Sequence, residues 1–143
     1  MTTRLEKRKF QRLDYSLEVA VEIVTGGEAP TVLPPVKLKS RNISLSGICL
    51  ETKVLDMHGI DLLSGSPYAR ENLLHMKIEL IPEEAPFSAI GEVRWYDVAQ
   101  DSAEFMYQIG VAFVQIKYSG KKQLARFLKK YETPKGILGK LFG

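Results

Sequence analysis

Apolar and polar residues alternate from Ser16 to Val24 (SLEVAVEIV), with Leu17, Val19, Val21 and Ile23 on one face and Glu18 and Glu22 on the other. Successive side chains of a strand point to opposite faces, so a period of two predicts a strand with one buried side. Gly26, Gly27 and Pro30 break the pattern, and Pro34-Pro35 closes the loop that follows. Five more strands are predicted, over residues 36–43, 48–52, 75–81, 87–96 and 107–116. Ile48, Leu50 and Thr52 share a side of the third. Ile90, Val93 and Trp95 supply bulk in the fifth, and Ile109, Val111 and Phe113 line one face of the sixth. Short turns and no interleaved helices predict an antiparallel barrel or sandwich.

Two regions depart from this rhythm. Residues 56–74 read as a loop with one short helix near Tyr68 to Leu74. Residues 119–132 (SGKKQLARFLKKYE) carry Leu124, Phe127, Leu128 and Tyr131 at i, i+3, i+4 and i+7, with lysines on the other face. That spacing predicts an amphipathic helix whose stripe covers one open end of the barrel. Ser119 is placed as its N-cap, and Pro134 and Gly136 as its end.

Composition narrows the class. A chain of 143 residues with 45% hydrophobic and 26% charged residues fits one domain with a real core. The expected division is a basic arm over 1–12, a barrel over 13–118, a helix over 119–132 and a tail over 133–143. No apolar run approaches a membrane span, and MTTRLEKRKF lacks the apolar core of a secretory signal. The one cysteine, Cys49, cannot form an internal disulfide, so the expected compartment is the reducing cytoplasm. Net charge is +3 but unevenly spread. Residues 1–12 hold five basic residues and one acidic; residues 117–143 hold eight and one; the stretch between holds seven basic and fifteen acidic. Basic ends around an acidic body suit an anionic partner.

The search for catalytic chemistry comes back empty. His58 and His75 lie far apart and out of metal-ligand spacing, and Cys49 has no nucleophile motif around it. There is no Walker-type loop or G-x-G-x-x-G, and the acidic residues form no convincing pair. An enzyme is therefore not expected, and neither is a cofactor or a bound metal.

Two short segments stand out. Arg8-Lys9-Phe10-Gln11-Arg12 is an R-x-x-x-R in the basic arm. Asn42-Ile43-Ser44-Leu45-Ser46-Gly47 is an N-x-S-x-x-G at the turn between the second and third strands. This pair, in this order and about 30 residues apart, resembles the PilZ family, whose signature is R-x-x-x-R followed by [DN]-x-S-x-x-G. The resemblance runs from about Arg4 to Tyr131 and takes in the last strand around Gly110 and the helix after it. It implies a six-stranded antiparallel β-barrel with a C-terminal α-helix, an all-β fold. It also implies that the domain binds cyclic di-GMP, through Arg8 and Arg12 on one side and Asn42, Ser44 and Gly47 on the other. Lys7 and Arg41 flank the motifs as peripheral charge. In the family the residue before R-x-x-x-R bears on whether one or two ligands bind, and a basic Lys7 leans toward two.

The chemistry of those residue types agrees. A planar guanidinium matches the O6 and N7 acceptors of guanine bidentately, pairs with phosphate and stacks on a base. Asn42 offers a donor and an acceptor to a guanine edge, the Ser44 hydroxyl can bond a phosphate or a base, and Gly47 permits close backbone approach. A tight hairpin alone would also explain Asn42, Ser44 and Gly47, but not the basic arm. Trp95 is assigned to core or helix packing rather than to stacking on guanine.

The expected function is a receptor that changes conformation on binding and signals to a downstream protein. Two alternatives stand beside it: a PilZ-like interaction module without a nucleotide, and a small barrel for single-stranded nucleic acid. DNA is not an expected partner, nor is stable membrane insertion, and homodimerisation stays open. The tail, with Ile137, Leu138, Leu141 and Phe142 among Lys135 and Lys140, is expected to contact a protein rather than lipid.

Overall fold

The computed structural model describes residues 13–14, 16–98 and 106–137 of the chain. Its strands are β1 (Leu13–Asp14), β2 (Glu18–Val24), β3 (Val36–Ile43), β4 (Gly47–Thr52), β5 (Asp56–Met57), β6 (Ile60–Asp61), β7 (Gly65–Ser66), β8 (Ala69–Arg70), β9 (Leu73–Ile78), β10 (Phe87–Val98) and β11 (Tyr107–Gln115). One helix, α1 (Tyr118–Ile137), follows. All pairings are antiparallel. The order β3-β2-β9-β10-β11-β4 returns to β3 through the β3–β4 pairing, so six strands close into a barrel. Closure leaves those six without a free edge. β1 pairs with the end of β3, along the edge that β2 pairs further back.

The alternation in β2 does what its period requires. Leu17, Val19, Val21 and Ile23 are buried, and Glu18 is exposed. Ile43, Ile48, Leu50, Leu74, Met76, Ile78, Ile109 and Val111 fill the same interior. Ser40 is fully buried among them, and its polar atoms are matched. Its hydroxyl accepts from Leu17 N–H at 2.9 Å and its own N–H donates to the Leu17 carbonyl at 2.9 Å. This reciprocal pair fixes the chain leading into β2 against β3 and removes the cost of a buried, unsatisfied hydroxyl.

β10 corrects the sequence reading. Its core side chains are Phe87, Ala89 and Val93, whereas Ile90 and Trp95 lie outside the core. Phe87, Ala89, Gly91 and Val93 keep one inward phase, which turns Ile90 outward, and the register shift between Val93 and Trp95 then takes Trp95 off that face. A bulge adds a residue to one strand and resets which face the next side chain takes.

Residues 56–74 contain no helix. They form two small hairpins, β5–β6 and β7–β8. The first turns on His58 (φ 53°) and Gly59 (φ 79°). Two successive positive φ values define the tight turn whose twist suits an antiparallel pair. In the second, Pro67 follows Ser66 at the turn and presets φ there. The region is held to the barrel by a buried carboxylate. Glu92, 7% exposed, accepts from Arg70 N–H at 2.8 Å and pairs with Arg94. Arg70 then donates to the carbonyls of Val93 (2.8 Å) and Leu63 (2.6 Å), and Arg94 to that of Pro67 (2.8 Å).

Helix α1 buries Leu124, Phe127 and Leu128 in the barrel core, and so closes one end of it. Its bounds differ from the sequence reading at both ends. It starts at Tyr118, so Ser119 sits inside the first turn and Lys117 accepts the first bond, from Lys121 N–H at 3.0 Å. It also runs through Pro134 to Ile137. Proline's fixed φ is itself helical, and its cost is one backbone bond and a clash with the preceding turn, which bends a helix as readily as it ends one.

Candidate functional site

The N-x-S-x-x-G segment turns from β3 into β4. Ser44 N–H donates to the Gly47 carbonyl at 2.9 Å, and Ser46 N–H donates to the Ser44 hydroxyl at 3.2 Å. The two serine hydroxyls lie 3.1 Å apart. Ser44 is only 6% exposed, so its hydroxyl first of all shapes this turn. Ser46 in turn ties the turn to the last strand, its carbonyl accepting from Phe113 N–H at 2.9 Å.

Gly47 is explained by packing rather than by an unusual dihedral. It pairs with Ala112, and a Cβ there would stand 2.3 Å from the Val111 carbonyl oxygen. Only a residue without a side chain lets β4 and β11 come this close.

Asn42 is half-buried on the outer side of β3, and its carboxamide makes no hydrogen bond to any described residue. The pairing register builds a row across the barrel exterior. Asp14 faces Asn42, Asn42 faces Cys49, Cys49 faces Gly110, and Gly110 faces Trp95. Arg41 is exposed at the bulge next to this row. The structure therefore brings Asn42, Ser44, Gly47 and Arg41 to one turn, and sets two positions that the sequence reading did not consider, Gly110 and Trp95, in the same cross-strand row as Asn42. Their signal lay in the register, since a glycine and a tryptophan must face each other across two strands for either to matter. Lys7, Arg8 and Arg12 lie outside the described residues.

The turn, β1 and the start of α1 share one end of the barrel. Gly47 faces Ala112 near the end of β11, and α1 begins soon after and touches β1. A separate cavity of about 470 Å³ lies elsewhere, on the outer faces of β2, β9 and β10 under the start of α1. Its lining includes His75, Lys77 and Gln123 but none of the motif residues. Among the described residues, no cluster of three or more His, Cys, Asp or Glu could hold a metal ion.

Barrel, closing helix and turn motif together define a small ligand-binding domain, and the chain belongs to the PilZ family. The PilZ domain model matches residues 6–130, a span that includes both motifs. Solved structures share the fold. The Bacillus subtilis inhibitor of motility MotI/DgrA has 20% identity and a TM-score of 0.62, over 90% of this chain and 52% of that one. The PilZ domain of Escherichia coli YcgR with c-di-GMP has 10% identity and a TM-score of 0.60, over 94% and 98%. The K. pneumonia MrkH–c-di-GMP complex has 15% identity and a TM-score of 0.56, over 90% and 54%. This chain thus spans about half the length of MotI/DgrA and MrkH. No curated protein sequence matches it.

Proposed function

We propose that this domain is a cyclic di-GMP receptor whose basic arm closes over the nucleotide against the N-x-S-x-x-G turn. The observation that carries the reading is the β1–β3 register. Leu13 faces Ile43 and Asp14 faces Asn42. Arg12 immediately precedes Leu13 in sequence, so β1 begins one residue after the R-x-x-x-R motif and pairs with the first residues of the turn motif. The register thus supports a site in which the arm that precedes β1 meets the turn.

In this reading Arg8 and Arg12 grip guanine or phosphate from the arm side, with Lys7 adding charge for a second stacked ligand. Asn42, with its unengaged carboxamide, addresses a guanine edge from the barrel side. Ser44 holds the turn and offers its remaining hydrogen-bonding capacity, and Arg41 adds charge at the rim. Gly47 keeps the turn tight against β11. Ordering an arm costs about 1–2 kcal/mol per residue, so several charge-assisted contacts are required to offset it. The closed arm is then the surface that a downstream protein reads. The solved YcgR and MrkH relatives, which carry c-di-GMP, support the ligand class.

Trp95 supplies the test, because it is the single tryptophan and stands on the same exterior row as Asn42. Its emission should change and saturate on titration with cyclic di-GMP, and not with GTP or GMP. Emission that ignores all three, together with no calorimetric heat, contradicts the proposal.

A further inference from the structure

The apolar stripe of α1 is consumed by the barrel, so its other side is free to act independently of the nucleotide site. From Tyr118 to Tyr131 every charged residue on that side is a cation. Lys117 just before the helix, and Lys121, Lys122, Arg126, Lys129 and Lys130 within it, are all exposed. From Tyr118 to Tyr131 the helix has no acidic residue. Among the described residues, only Arg126 of these six has a carboxylate partner, Glu84 at 3.5 Å. The charges spread over about 20 Å of helix length at 1.5 Å per residue.

The shape and chemistry of this face identify what it fits. It carries one strongly exposed apolar side chain, Tyr118 at 75%, and the Lys122 ammonium sits 5.3 Å from that ring's centroid. A protein interface is built around buried aromatic and aliphatic anchors in fitted pockets, and among the described residues α1 exposes just two large apolar side chains, Tyr118 and, at 37%, Tyr131. An extended anionic plane needs no pocket. The stretch 13–116 carries more than twice as many acidic as basic residues, so within it a negative surface is disfavoured, while α1 offers such a surface only cations. We propose that the outer face of α1 adsorbs to anionic lipid headgroups, electrostatically and without insertion. Insertion is denied to it because Leu124, Phe127 and Leu128 are committed to the core.

The test is sedimentation of the full chain with lipid vesicles. Binding to vesicles of about one-third phosphatidylglycerol in phosphatidylcholine should be clear at low salt, absent on pure phosphatidylcholine, and lost at high salt. Lys122→Glu/Lys129→Glu should weaken partitioning by well over tenfold, since each basic residue near such a surface is worth about fivefold. Both side chains are exposed, so the variant should keep its melting temperature and its response to cyclic di-GMP, which separates this face from the nucleotide site. A chain lacking residues 138–143 should still bind. No sedimentation with anionic vesicles overturns the proposal. So does unchanged binding by the double variant, or binding that vanishes only with residues 138–143. Salt-sensitive binding to duplex DNA without vesicle binding overturns it too, and assigns the face to nucleic acid instead.

Discussion

Trp95 lies against Gly110 in a cross-strand pair of β10 and β11, so closely that a Cβ on Gly110 would fall 2.1 Å from the indole ring. The glycine is there to receive the ring. Gly110→Ala should therefore push the indole off the strand and cost about 1–3 kcal/mol, as overpacking does. A lower Tm with red-shifted tryptophan emission is the expected result. An alanine variant with unchanged Tm and emission contradicts this packing.

Helix α1 is needed to close the barrel. Leu124 is fully buried beneath it, and Leu124→Ala should cost about 2–5 kcal/mol by leaving a cavity. Denaturant unfolding measures this directly. A loss under 1 kcal/mol would mean that the helix is only loosely docked.

Glu92 should matter locally more than globally. Its two carboxylate oxygens receive Arg70 N–H and the Arg94 guanidinium, and these two arginines tie down residues 63–70. In Glu92→Ala, amide exchange across 63–70 should rise well before the barrel strands exchange. Equal acceleration everywhere would instead make the carboxylate part of the global core.

Asn42 and Ser44 should separate under mutation. The Asn42 carboxamide is unengaged among the described residues, so Asn42→Ala should lower cyclic di-GMP affinity about tenfold with little change in Tm. The Ser44 hydroxyl shapes the turn, so Ser44→Ala should lower both affinity and Tm, the latter by the loss of roughly one hydrogen bond's worth of stability. Calorimetry and thermal melts on the two variants decide it. Normal binding by Asn42→Ala removes that residue from the site.

Much of this architecture was legible in sequence because alternation reports one buried face. Leu17, Val19, Val21 and Ile23 could be read directly, as could the Leu124, Phe127 and Leu128 stripe. The number of barrel strands followed from the same rule. What escaped was what alternation cannot carry. The bulge between Val93 and Trp95 resets the period of β10, so Trp95 was misread, and Ile90 was grouped with Val93 although the two are out of phase. The β5–β8 region has strands of two residues, too short for any period, and its fixed points are a backbone feature at His58–Gly59 and a hydrogen bond from Arg70 N–H to the Glu92 carboxylate, distant in sequence. Pro134 was given the force of a stop, yet the helix runs past it. The turn motif was legible as a word, but the β1–β3 register that sets Leu13 and Asp14 beside it was not.

The receptor reading stands or falls on the two arm arginines. Calorimetric titration with cyclic di-GMP should show saturable binding by the unmodified chain. Arg8→Ala and Arg12→Ala should each weaken it roughly ten- to a hundredfold, the about 1–3 kcal/mol of a bidentate contact, with Tm nearly unchanged. Hydrogen exchange on the same samples should show Lys7 to Arg12 protected by the ligand in the unmodified chain. Unmodified affinity in both variants, or no binding by the unmodified chain, contradicts the account.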